Sequence, residues 1–83
     1  ITSEQIRGAR ALLGMTQAKL AELAGISTTG LNNIERGGSD PKASTLRAIT
    51  AALAAGVQFI PENGGGAGVR LAKRKDEEIG AGN

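Results

Sequence analysis

The spacing of apolar residues between Gln17 and Arg36 is the strongest constraint on this chain. Leu20, Ala21 and Ala24 share one helical face, Gly25 interrupts it, Ile26 fills the corner, and Leu31 and Ile34 resume the face at a three-residue step. The pattern predicts two short helices crossing steeply over a tight turn. Such a crossing brings two backbones close together. The small residues Ala21 and Gly25 are therefore expected at the contact, where larger side chains would force the helices apart.

The flanking sequence predicts two more helices. Thr2 and Gln5 have the spacing of a capping box, and Ile6, Ala9, Leu12 and Leu13 give a stripe ending near Gly14, so a first helix is expected from about Ser3 to Leu13. Thr16 and Ser27 are suited to cap the second and third helices, and Gly37 to end the third in a left-handed turn. Asp40-Pro41 reads as an extended connection. From about Ala43, Leu46, Ile49 and Leu53 form a fourth helical stripe, closed by Gly56.

Beyond Gly56 the period changes. Val57-Gln58-Phe59-Ile60 is β-branched and aromatic, Val69-Arg70-Leu71 alternates, and Pro61 to Gly68 between them is mostly glycine. A small hairpin is expected over 57–72. Its open edges leave two arrangements standing: pairing with the hairpin of a second subunit, as a dimerisation element, or folding back on the chain's own helices. Residues 73–83 are expected to form a charged, flexible tail.

Composition excludes more than it assigns. Eighty-three residues make one small unit, and with one Phe and no Trp or Tyr its core must be built from Leu, Ile, Val and Ala. There is no Cys and no His, which removes disulfides, thiolate nucleophiles, imidazole bases and the usual zinc ligands, so no metal, no cofactor and no enzymatic activity are expected. No apolar run reaches the roughly 20 residues of a membrane helix, and no signal-peptide pattern is present. A cytoplasmic protein is expected. Gly64 to Gly68 lack the Lys-Ser/Thr that a phosphate-binding loop requires, and a single aromatic argues against RNA binding by base stacking.

The net charge is only +2. Arg70, Lys73, Arg74 and Lys75 are followed at once by Asp76, Glu77 and Glu78, and the first 47 residues carry six basic against four acidic side chains. Any positive surface must come from placement.

On the third helix, Leu31 and Ile34 point inward while Thr28, Thr29, Asn32, Asn33 and Arg36 lie at the tip or on the outer face. An outer face is ordinarily just solvated. This one holds neither Lys nor Glu but Thr, Asn and Arg, which can hydrogen-bond base edges in a DNA major groove. Glu35 projects to the flank, and a carboxylate facing phosphates would be repelled, so it is expected to pair with a cation of the protein, Arg10 on the first helix.

Residues from about Ile6 to Leu53 resemble the Xre, or phage Cro and repressor, helix-turn-helix family. The likeness rests on Arg10, Met15-Thr16-Gln17, Leu20-Ala21, Ala24-Gly25, Ile26-Ser27, Ile34 to Gly37, Pro41, Thr45-Leu46 and the aliphatic run from Ile49 to Leu53. It implies a mainly α fold, with four short helices of a Cro/repressor-like domain over 1–56 ahead of the hairpin. It also implies that Gln17 touches the DNA backbone or an adenine, that Thr28, Thr29, Asn32 and Asn33 enter the major groove, and that Arg10 and Glu35 form an internal ion pair.

Two positions depart from the family. Gly30 stands where Thr or Ser is usual, either letting the backbone approach DNA or loosening the helix. Lys42 stands where a Ser or Thr usually caps the fourth helix, so Ser44 or Thr45 is expected to cap instead and Lys42 to join Gln17, Lys19 and Arg36 on the DNA backbone. The expected function is a sequence-specific regulator of transcription, a repressor acting as a homodimer on an inverted repeat of double-stranded DNA. The alternative is an antitoxin-type protein whose partner is a toxin or another regulator.

Overall fold

The computed structural model describes residues 1–72. The expected tail at 73–83, with Lys73, Arg74 and Lys75 of the basic cluster, lies outside the described residues. Four helices, α1 (Ser3–Leu13), α2 (Gln17–Ala24), α3 (Thr28–Glu35) and α4 (Ala43–Ala54), are followed by two strands, β1 (Val57–Ile60) and β2 (Gly68–Leu71).

Each of the first three helices starts on a side-chain cap. Thr2 accepts from the Gln5 amide while Gln5 returns a bond to the Thr2 amide, Thr16 accepts from Lys19, and Ser27 accepts from Gly30. Their ends also share a solution. Met15, Ile26 and Gly38 each donate to the carbonyl five residues back, closing the last turn around a glycine with positive φ. At Gly25 (φ 72°) a Cβ would meet nothing within 4 Å, so the expectation that glycine is needed there for close helix packing is corrected. Its left-handed backbone requires it. Ala21, by contrast, is buried at 2% exposure.

The helix α4 corrects a second expectation. Lys42 occupies the N-cap with no side-chain bond, and neither Ser44 nor Thr45 substitutes, because α4 already begins at Ala43 and both lie inside its first turn. Its other end closes through a bond from Gly56 to the Leu53 carbonyl.

All four helices contribute to one core. Ile6, Ala9, Leu20, Leu31, Ile49 and Leu53 are fully excluded from solvent. Burial of each Leu or Ile contributes about 1.5–3 kcal/mol, which is what a chain with one aromatic relies on. Val57 joins this core, with Phe59 and Val69 packed against it.

The hairpin is antiparallel, pairing Val57 with Leu71, Gln58 with Arg70, Phe59 with Val69 and Ile60 with Gly68. It folds back on its own helices. Gly8 of α1 sits so close to β2 that a Cβ there would lie 3.1 Å from Val69. The buried Gln5 side chain reinforces the joint, its Nε2 donating to the carbonyls of Ile60 at 3.0 Å and Gly68 at 2.7 Å. One side chain thus completes the cap of α1 and ties down the far end of the hairpin.

Candidate nucleic-acid interface

The helix α3 presents Thr28 and Thr29 exposed at its leading end, with Asn32 and Asn33 half-buried one turn later. The exposed Arg36 donates through Nη2 to Asn33 Oδ1 at 3.2 Å. Gly30 lies between these residues, and a Cβ there would approach Ser27 Oγ at 3.0 Å, the same oxygen that accepts from the Gly30 amide.

Glu35 does not project to the flank. Its carboxylate is turned inward at 2% exposure, where Arg10 meets it with Nε at 2.7 Å and Nη2 at 2.8 Å. Arg10 also donates to the Met15 carbonyl at 2.9 Å, and Arg7 donates to the Glu35 carbonyl. Burial pushes the Glu35 carboxyl upward, but the bonds from Arg10 and Gln17 and the charges of Arg10 and Arg7 outweigh it, leaving the group below the ordinary glutamate range. The hydrogen bond with Glu35 raises the Arg10 guanidinium further, against the lowering effect of burial. The acid is thereby neutralised inside the protein, and α3 carries no other.

Gln17, at the start of α2, stands between the ion pair and the outer face of α3. Its Nε2 donates to Glu35 Oε1 at 3.0 Å and to Asn32 Oδ1 at 3.2 Å. Lys19 pairs with Glu22 of its own helix at 3.2 Å, and Lys42 is exposed at the start of α4. The fold therefore brings Gln17 to Asn32 and Arg36 to Asn33, while Lys19 and Lys42 make no hydrogen bond to that cluster. Sequence reasoning missed Arg7 and the inward bonds of Gln17. Arg7 lies one turn before Arg10 on the same face of α1, which is the signal that could have found it.

Among the described residues no group of side chains could hold a metal ion, and no helix is long and apolar enough to cross a membrane. Two short helices crossing over a glycine turn, the second with a Thr/Asn/Arg outer face, define a DNA-binding helix-turn-helix domain. The family model described as helix-turn-helix (HTH_3) matches residues 6–59, and the chain belongs to this Xre/Cro-like family of DNA-binding transcriptional regulators.

Solved structures agree. The restriction-modification controller protein C.AhdI from Aeromonas hydrophila superimposes with a TM-score of 0.61 at 25% identity, over 63% of this chain and 79% of that one. A single-residue variant of the restriction-modification controller C.Esp1396I gives 0.60 at 31% identity, over 63% and 68%. The DNA-binding domain of the P22 C2 repressor gives 0.60 at 33% identity, over the same shares. No curated protein sequence matches the chain.

Proposed function

We propose that this protein is a sequence-specific repressor that binds an inverted repeat of double-stranded DNA as a homodimer, in the cytoplasm. The observation that carries this reading is the outer face of α3: Thr28, Thr29, Asn32 and Asn33 are accessible there, and the one acid of the helix is buried against Arg10. With α3 in the major groove, those four side chains read base edges. The free backbone N–H groups at the start of α2, beginning with Gln17, face a phosphate, and Lys19, Arg36 and Lys42 supply further backbone contacts. The likeness to the controller proteins and to the P22 repressor domain supports a role at promoters.

Two-fold symmetry would set two copies of α3 one helical turn of DNA apart, about 34 Å. The exposed Leu12 and Leu71 flank a cleft of about 500 Å³ between α1, α4 and β2, which supports self-association through that side. The test is selection from random duplex DNA near physiological salt, followed by sequencing. An enriched inverted repeat with half-sites one turn apart is expected. Binding that only weakens with salt and enriches nothing would overturn the proposal.

A further inference from the structure

The glycine-rich tip of the hairpin folds around one peptide bond. Asn63 is followed by Gly64, whereas Asn32 and Asn33 of α3 are followed by an asparagine and a β-branched isoleucine. All residues from Pro61 to Ala67 are exposed. Asn63 Oδ1 accepts from the Gly65 amide at 3.2 Å, which turns the side-chain carbonyl back along the main chain. The Gly64 amide donates to Glu62 Oε1 at 2.8 Å, and the Gly66 amide to the same oxygen at 3.0 Å.

The tip thus sets an electrophile beside a nucleophile. An N–H already bonded to Asn63 Oδ1 stabilises the negative charge that attack on Cγ would push onto that oxygen. Gly64 has no Cβ to obstruct its nitrogen, and a Cβ built there would meet nothing within 4 Å. Glu62 restrains the pair. In a five-membered imide joining Gly64 N to Asn63 Cγ, the carbon takes the place of the amide hydrogen, so the bond to Glu62 must break before the ring closes. The amides of Gly64 and Gly66 hold the Glu62 carboxyl below the ordinary glutamate range, which keeps this acceptor charged at neutral pH.

We infer that Asn63 is a site of self-modification, deamidation through a succinimide, and that Glu62 is the latch that sets its rate. Gly64 N gives its proton to a solvent base and bonds to Asn63 Cγ, whose carbonyl electron pair moves onto Oδ1. As that pair returns, the Cγ–Nδ2 bond breaks and the nitrogen leaves as ammonia with a proton from water. Water then opens the ring and the proton returns to Gly64 N; opening at Cγ yields aspartate, and opening at the backbone carbonyl yields isoaspartate. The net change is one water in and one ammonia out. Either product adds a carboxylate beside Glu62. Isoaspartate also lengthens the main chain between Ile60 and Gly68, the two residues whose carbonyls Gln5 holds, and so loosens the tip.

The experiment incubates the full chain near neutral pH and follows each asparagine by peptide mass spectrometry, with an isoaspartyl methyltransferase to label the rearranged product. Modification is expected at Asn63 ahead of Asn32 and Asn33, and several-fold faster in Glu62→Ala. Glu62→Gln, whose amide oxygen still accepts from Gly64, is expected to fall between that variant and the wild type. Hydrogen exchange at β1 and β2 before incubation tests whether the hairpin of each variant is intact. Faster modification accompanied by lost protection there would assign the effect to an open hairpin and overturn the latch. Equal rates in wild type and Glu62→Ala, or in Glu62→Gln and Glu62→Ala, would overturn it too. An Asn63 that stays unmodified in Glu62→Ala while Asn32 or Asn33 reacts would overturn the site itself.

Discussion

Arg10 and Glu35 meet as a fork on a carboxylate, at 2.7 and 2.8 Å, with the carboxylate 2% exposed and the guanidinium side chain 21% exposed. The native Glu35 carboxyl is held below its ordinary value, so its contribution to stability is fully present above about pH 4.3. It is lost as the pH falls below that, because the unfolded chain takes up a proton that the native carboxylate resists. Glu35→Gln is expected to cost roughly 3 kcal/mol at pH 7, the lower end for breaking a buried pair, since the amide oxygen keeps one bond. The gap between wild type and variant should narrow between pH 7 and pH 3 in urea denaturation. A gap independent of pH would show that ionisation of Glu35 does not support the fold.

Gln5 spans the joint between α1 and the hairpin, accepting from the Thr2 amide at 2.8 Å while donating to Ile60 and Gly68. Gln5→Ala strands those carbonyls and removes half of the capping box, at an expected cost of about 1–3 kcal/mol. Hydrogen exchange should quicken at the amides of β1 and β2 more than at those of α2 and α3. Uniform acceleration would mean that Gln5 supports the fold globally and is not a local tie.

Gly30 and Ser27 oppose each other. Replacing a helical glycine by alanine gains up to about 1 kcal/mol, yet Gly30 lies in the first turn of α3, where the new Cβ would sit 3.0 Å from the oxygen that caps the helix. Gly30→Ala is expected to stabilise by less than that in the wild-type chain and by the full amount in a Ser27→Ala background. Ser27→Ala alone should cost about 1 kcal/mol. Thermal unfolding of the four proteins closes the cycle, and additive effects would remove the proposed crowding.

What was legible in the sequence was local. The three capped helix starts and glycine ends follow from bonds within five residues, and all of them are present where the residue types place them. The hairpin strands were legible from their period, but their seat was not: Gln5 reaches residues 55 and 63 positions away, and no local pattern encodes such a contact. The reversed orientation of Glu35 has the same cause. A helical wheel places it on a flank, whereas Arg10 of α1 and Gln17 of α2 hold its carboxylate inside. Spacing alone marks a glycine at position 25 but does not separate a close approach of two helices from the left-handed turn that requires it.

Leu12 and Leu71 give the proposed dimer its sharpest test. They are 43% and 55% exposed, on either side of the cleft, and covering the exposed half of Leu71 in each of two subunits would contribute about 0.8–1.5 kcal/mol apiece, half of what burying a whole leucine gives. Leu71→Glu places a charge where the side chain already meets water, so stability of the single chain should move by no more than about 0.5 kcal/mol. Dimer dissociation, followed by sedimentation equilibrium, should increase about tenfold or more. Cutting the chain after Gly56 would not serve, because it also removes Val57 from the core and the strands on which Gln5 closes. A Leu71→Glu protein that dimerises as tightly as the wild type would exclude the cleft and leave the strand edges of the hairpin as the next surface to alter.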